Sequence, residues 1–162
     1  MKKIVLATGI AAALLFASSV EAKTSPVTLS TKSYKEVVTI DASGSKKIIL
    51  EEAKKVLPGD YVVYKNAINN HTNKDVNDMV LNNVIPKHTE YVADSAKCEK
   101  DCDILFSVDG GKIFDRPEKL MVNVGDKKRL ALPKEYTNVR WVLTSALDAN
   151  SVTNVSFKTR LQ

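Results

Sequence analysis

The sequence contains few of the residues from which catalytic and metal sites are usually built. Its 162 residues include only two histidines and two cysteines, so a catalytic base or a set of metal ligands has few candidates. The chain also lacks a Gly-x-Ser-x-Gly segment, the turn that presents the nucleophile of many hydrolases. We therefore expect a protein that is not an enzyme, with no catalytic residues, no cofactor and no metal.

A concentrated basic segment is missing as well. Lys and Arg number 24 against 19 Asp and Glu, which gives a net charge of +5, but these charges are spread along the chain. Nucleic-acid-binding domains usually gather their basic residues, so we expect no nucleic-acid partner. The 44% of hydrophobic and 27% of charged residues are typical of a folded globular chain.

The one long apolar run lies at the N-terminus. Lys2 and Lys3 precede an uncharged apolar stretch over 4–16, and Val20 and Ala22 provide the small residues that a signal peptidase reads. This pattern predicts a signal peptide over 1–22, cleaved after Ala22, followed by a single domain over 23–162. A membrane anchor is the alternative, but the run of 13 residues falls short of the roughly 20 that a membrane-spanning helix needs. We expect a bacterial protein that is periplasmic or secreted, with no membrane span after cleavage.

The two cysteines lie close together, in the segment Cys98-Glu-Lys-Asp-Cys102. Disulfides persist in an exported protein, so a structural bridge that holds a turn is the favoured interpretation. A bridge over so short a loop stabilises at the low end of the usual range. The alternatives are a redox pair, which normally has two intervening residues, or part of a metal site, which needs further ligands.

The distribution of apolar residues predicts an all-β fold. Almost no segment after residue 28 has apolar residues at helical spacing, whereas short runs rich in Val, Ile, Thr and Tyr recur between turn signals. One short segment, 51–55, has a helix-like composition, and Asp109-Gly110-Gly111-Lys112 is a hairpin signal. Roughly seven to nine strands at this spacing predict a β-sandwich. The candidate segments are 34–41, 47–50, which is a second strand or the continuation of the first, 61–69, 76–84, 91–93, 103–109 with its return over 112–114, the run 121–124, 139–145 and 154–161.

Part of the chain, 57–92, resembles a known family. Its matching features are Pro58-Gly59-Asp60, an alternating strand over 62–68 followed by Asn70, a second strand over 76–81, the corner 83–86, and Tyr91-Val92. This pattern is similar to the conserved-repeat domain of bacterial surface and secreted proteins, domain of unknown function eleven. The resemblance implies an immunoglobulin-like sandwich without enzymatic activity and without shared functional residues. Three positions depart from the family pattern: Asn66, Asn83 and His88.

Two groups of residues could suggest bound ions. His71 and His88 follow successive predicted strands, so a sandwich should place them at opposite ends, exposed in loops and too far apart for one metal. Asp101, Asp103 and Asp109 lie near the glycine pair, but they lack the ligand spacing of a calcium-binding loop. We interpret them as surface carboxylates beside a hairpin.

Binding to another envelope or surface protein is the function that we expect, as a non-catalytic binding or structural module of the cell envelope. The candidate contact regions are the loops 70–74, 97–102 and 125–129 and an edge strand that could accept a partner's strand. Trp141, next to Arg140, could also contact a partner, but it shares its face with Val139 and Leu143, so we expect it in the core. The alternatives are a periplasmic chaperone or assembly factor for a surface structure, or a small metal- or ligand-binding protein. The oligomeric state stays open.

Overall fold

The computed structural model describes residues 25–162, which form eleven β-strands and two short 3-10 helices. The predicted signal peptide over 1–22 and its cleavage after Ala22 lie outside these residues. The all-β prediction is confirmed. The strands are β1 (Val27–Ile40), β2 (Lys46–Glu52), β3 (Tyr61–Asn70), β4 (Val80–Val84), β5 (Thr89–Tyr91), β6 (Lys97–Cys98), β7 (Cys102–Ser107), β8 (Met121–Val124), β9 (Lys127–Leu130), β10 (Asn138–Leu143) and β11 (Val152–Leu161).

The strands form two facing antiparallel sheets and a small hairpin. The large sheet has the order β2-β1-β3-β11-β5, with β6 also paired to β11, and the small sheet has the order β4-β10-β7. The hairpin consists of β8 and β9 and lies in the connection from β7 to β10. Six strands therefore face three across the core, which is a β-sandwich. After β6 the chain passes to the small sheet at β7, and it returns to the large sheet only with its last strand, β11.

The core lies between the two sheets and is built by strict alternation. On β11, Val155 and Phe157 are buried, while Asn154, Ser156 and Lys158 beside them are partly exposed. Phe157 lies 6.0 Å from Trp141 of β10, measured between ring centroids. Trp141 is fully buried, which confirms its predicted place in the core. A second aromatic group fills the other end of the sandwich, with Phe106 at 4.9 Å from Tyr91 and 4.5 Å from Tyr136.

Several strands differ from the predicted ones, most of them by one or two residues at an end, and three differences are larger. β1 begins at Val27, seven residues before the predicted start, because its first half pairs with β3 along the whole length of that strand. β4 begins at Val80, and Val76 forms only an isolated bridge with Leu147. The predicted return strand over 112–114 is absent, since only Asp115 bridges back to Phe106.

The remaining differences concern polar segments. The helix-like composition over 51–55 is misleading, because β2 continues to Glu52 through its pairing with β1; tertiary pairing overrides a weak local preference. β6 and β9 were not predicted, since β6 has two residues and β9 is largely charged. Within residues 25–162, no helix has the length and apolar character required to cross a membrane.

Candidate functional site

Two of the three predicted contact loops meet at one end of the sandwich. Asn70, fully buried at the end of β3, donates from its side chain to the carbonyl of Asp148 at 3.0 Å and accepts from Thr72. The carboxylate of Asp148 accepts a hydrogen bond from Lys100 at 2.7 Å. The loops 70–74 and 97–102 are therefore both tied to the same stretch of chain. Hydrogen bonds hold the backbones of these two loops. The surface that the loops form therefore has a defined conformation.

Within the second loop, the two cysteines join the sheets. Cys98 and Cys102 form a disulfide whose Cα atoms are 6.5 Å apart, within the range that disulfides span. Cys98 lies on β6, opposite Val155 of the large sheet, and Cys102 lies opposite Leu143 of the small sheet. The predicted pair is therefore present. It spans a crossing between the two layers instead of the turn of a hairpin.

The third predicted loop, 125–129, does not join the other two. Most of it belongs to β9, whose Arg129 forms two hydrogen bonds of 2.7 Å with the carboxylate of Glu135. Glu135 also accepts the backbone N–H of Leu132. Its pKa is lowered to about 2, mainly by the hydrogen bonds from Arg129 and then by that from Leu132. The prediction of a loop is wrong for 127–129, which belong to β9, and a hairpin and an ion pair fix the segment.

The two histidines lie at opposite ends of the large sheet, as predicted. Both are exposed. His71 follows β3 at the end where β11 begins, whereas the carbonyl of His88 accepts from Gln162, just after β11 ends. The length of β11 separates them by about 30 Å. The described part of the chain contains no cluster of three or more His, Cys, Asp or Glu side chains suited to a metal ion.

The three aspartates singled out by the sequence have separate local partners. Asp109 accepts from the Ser107 hydroxyl and from two backbone N–H groups that follow it, and these hydrogen bonds lower its pKa. Asp103 forms an ion pair of 2.8 Å with Arg116. The carbonyl of Asp101 accepts from Thr144. Asp109 and Asp103 thus serve as local acceptors at the surface, which agrees with their interpretation as surface carboxylates.

A row of three lysines crosses the outer face of the large sheet. In the strand register, Lys32 of β1 lies opposite Lys65 of β3, Lys65 lies opposite Ser156 of β11, and Ser156 lies opposite Lys97 of β6. Residues directly opposite one another in antiparallel strands share a face. The three lysines, here called the lysine row, therefore extend over three strand spacings, about 14 Å. All three are exposed.

The floor beside the lysine row is shallow and lined by small side chains. Two adjoining depressions of about 380 and 270 Å³ share Lys65 and Asn154. Ser30, Ala67 and Ser156 contribute little bulk between the lysines. The ammonium group of Lys65 also lies 5.4 Å from the ring centroid of Tyr34, so an aromatic side chain borders the same surface. The depressions suit an extended ligand lying on the sheet and are too open to enclose a small molecule.

Acidic side chains on the same face already have other partners. Glu36 forms an ion pair of 2.6 Å with Lys158, and Glu52 lies 3.3 Å from Lys54. Glu99 accepts two hydrogen bonds of 2.9 Å from the backbone and side chain of Asn154. Within residues 25–162, no acidic group lies within 4.0 Å of a lysine in the row. None of the three lysines therefore forms an ion pair within the described part of the chain, although the Glu99 carboxylate lines the same depression as Lys65 and Lys97.

Comparison with known proteins gave no match to a protein-family profile, to a curated protein or to a solved structure. The resemblance of 57–92 to the conserved-repeat domain therefore stays a prediction.

Sequence analysis did not identify the lysine row because its members are far apart in the chain. Lys32 precedes the first predicted strand, and Lys97 lies in a segment predicted to be a loop. Only Lys65 falls in a predicted strand, where the alternation already places it on the outer face. The strand pairing that aligns the three residues is a property of the folded sheet. Positive charges that are far apart in the sequence are therefore neighbours on the folded sheet.

Proposed function

We propose that the protein is a non-catalytic binding module, exported to the bacterial cell envelope, whose lysine row binds an acidic segment of another envelope protein. Export is supported by the leader pattern over 1–22 and by the paired cysteines, since disulfides persist outside the cytoplasm. The observation that carries the binding proposal is the alignment of Lys32, Lys65 and Lys97 on one open face without acidic partners.

The geometry favours a chain with repeated carboxylates over a single small anion. One exposed lysine attracts one carboxylate only weakly, because water and salt screen the charges. Three lysines in a row over about 14 Å can contact successive carboxylates of one extended chain, so that the second and third contacts form at high effective concentration. The small side chains of the floor let such a chain approach the sheet.

The direct test is binding of fluorescently labelled oligo-glutamate to the purified protein. The variant Lys32→Gln/Lys65→Gln/Lys97→Gln removes the row, and the variant Lys127→Gln/Lys128→Gln/Lys134→Gln removes three exposed lysines elsewhere. Both variants lose the same net charge. We expect the first to bind at least about tenfold more weakly and the second to stay within about twofold of the original protein.

Salt provides a second readout. Binding to the row should weaken steadily between low and high ionic strength, because the contacts are exposed charge pairs. Circular dichroism of both variants controls for folding. An equal loss of affinity in the two variants would mean that only net charge matters, and the proposal of a defined site would then be wrong.

A further inference from the structure

The edge strand β2 is free along its outer side and extends beyond the body of the sandwich. It pairs with β1 over the whole of Lys46–Glu52, but β1 pairs with β3 only up to Lys35. The hairpin of β1 and β2 therefore projects past the neighbouring strand. It contains no proline, and its register with β1 is continuous. Proline and bulges, two common means of protecting an edge strand, are thus missing from β2.

The projecting hairpin also carries an exposed aliphatic patch. Val38, Ile40, Ile48 and Leu50 are 61%, 71%, 60% and 39% exposed. They share one face, because Val38 lies opposite Ile48 and the other two occupy the adjacent positions of the same parity. A patch of this kind beside an open strand edge is a candidate for association.

The charges of β2 are arranged so that the strand complements itself. Its sequence is Lys-Lys-Ile-Ile-Leu-Glu-Glu over Lys46–Glu52. When two such strands run antiparallel and cross at Ile49, Lys46 lies opposite Glu52, Lys47 lies opposite Glu51, and Ile48 lies opposite Leu50. Within residues 25–162, Lys46, Lys47 and Glu51 take part in no ion pair.

The backbone of β2 has the phase that this arrangement requires. Ala53 donates to Ser33, and Asp41 donates to Ser45, so the odd-numbered positions of β2 are those bonded to β1. The N–H and C=O groups of Ile48 and Leu50 consequently point to the open edge. Any twofold axis that passes through a residue of β2 pairs even-numbered positions of one copy with even-numbered positions of the other. Among the residues near the middle of β2 through which the axis could pass, only Ile49 also places each lysine of one copy opposite a glutamate of the other.

We propose that two copies of this protein associate through antiparallel pairing of their β2 strands, with Ile49 on the twofold axis. Ile48 of each copy exchanges backbone hydrogen bonds with Leu50 of the other, and the lysine and glutamate pairs fix the register. The two aliphatic patches then lie side by side on one face. The pairing converts two open edges into the centre of one continuous sheet.

Cysteine cross-linking tests the register directly. In the proposed pairing the two Ile49 residues form a non-hydrogen-bonded pair, whose Cα atoms are about 4.5 Å apart in antiparallel sheets, within the range that a disulfide bridges. Ile49→Cys should therefore give a covalent dimer on mild oxidation. Ile48→Cys is the matched control, because two copies of residue 48 are displaced along the strands and should cross-link poorly. Equal cross-linking of both variants, or none in Ile49→Cys, would overturn the proposed register.

Charge exchange tests the same interface without new cysteines. Sedimentation should show a dimer for the original protein, and Lys46→Glu/Lys47→Glu or Glu51→Lys/Glu52→Lys should each weaken it by on the order of tenfold to a hundredfold. Mixing the two variants restores opposite charges and should recover the dimer. Lys127→Glu/Lys128→Glu, on exposed β9, controls for net charge. A monomer at all accessible concentrations, or a mixture no tighter than its components, would refute the proposal.

Discussion

Several carboxylates of this protein close loops. Asp41 accepts three hydrogen bonds, two from Ser43 and one from Ser45, at the tip of the β1–β2 hairpin. Asp109 does the same after β7, and Glu135 joins Arg129 to the turn that follows β9. The pKa of each of these carboxyl groups is lowered by the hydrogen bonds it accepts. The ionised forms are thus part of the folded structure.

Glu135 gives these interactions a measurable pH dependence. Its pKa is lowered from 4.5 to about 2 in the folded protein, so its contribution to stability is fully present above pH 4.5 and is lost as the pH falls towards 2. We expect Glu135→Gln to lower the melting temperature at pH 6 and to flatten its decline between pH 4.5 and 2. Thermal denaturation followed by circular dichroism measures both effects.

The matched control for this prediction is Glu118→Gln, at an exposed position of a 3-10 helix with no ion pair among residues 25–162. It removes the same charge without removing a pair. The remaining carboxyl groups are the same in all three proteins, so the difference between the variants isolates Glu135. A decline with pH that is as steep in Glu135→Gln as in the original protein would contradict the assignment.

At single positions, the sequence marks a residue as unusual without showing which residues it forms hydrogen bonds with. Asn66 and Asn83 both depart from the family pattern that 57–92 resembles, and in the structure they meet: the Asn83 amide donates to Asn66 at 3.4 Å. Thr31 donates to the same oxygen at 2.7 Å. Burial of Asn66 follows from alternation along β3, but its partners lie on other strands, and their positions depend on strand pairing that the local pattern does not encode.

Among the secondary-structure elements, the sequence predicts best the strands in which apolar and polar residues alternate over a long stretch. The central strands β3, β10 and β11 were predicted to within two residues at each end, because each presents buried and outward residues in turn. The charged strand β9 and the two-residue β6 give no such signal, and β6 exists because the chain passes along β11 before it crosses to the small sheet. Sandwich architecture is therefore accessible from periodicity, whereas edge and crossing strands depend on tertiary pairing.

The crossing segment between β6 and β7 should be stabilised by its disulfide. Because Cys98 and Cys102 enclose a very short loop, the expected contribution is about 2 kcal/mol of unfolding free energy. We expect Cys98→Ser/Cys102→Ser to unfold at lower urea concentration by a corresponding amount. A reducing agent should destabilise the original protein and leave the variant unchanged. An identical midpoint for the two proteins under oxidising conditions would show that the bridge does not stabilise the fold.

At the scale of the whole molecule, strand order decides which surfaces exist. Lys32, Lys65 and Lys97 become neighbours because β1, β3, β11 and β6 are adjacent in the large sheet, although β11 is the last strand of the chain. The same order leaves β2 at the margin with an open edge. Neither consequence follows from strand boundaries alone, which explains why the sequence predicts a sandwich with contact regions in loops or at an edge strand but identifies neither the lysine row nor β2 as that edge.

The proposed lysine-row site and the proposed dimer are linked by the alternation of side chains along β1 and β2. The even-numbered residues of β2 lie on the same face of the large sheet as the lysine row, since Glu52 lies opposite Tyr34, two residues from Lys32 on β1. A twofold axis that pairs even with even residues of β2 therefore places both outer faces on the same side of the continuous sheet. A dimer joined through Ile49 would present two lysine rows to one acidic chain.

This arrangement predicts a dependence on ligand length. The disulfide-linked Ile49→Cys dimer should bind a long polyglutamate at least about tenfold more tightly than Ile48→Cys diluted below the concentration at which it dimerises without a cross-link, because the second row binds at high effective concentration. A short oligo-glutamate that contacts only one row should bind both proteins equally, and titration with the two labelled ligands measures the difference. Tighter binding of the dimer to both lengths would indicate a new site at the junction. Equal binding at both lengths would mean that the two rows cannot be reached by one chain.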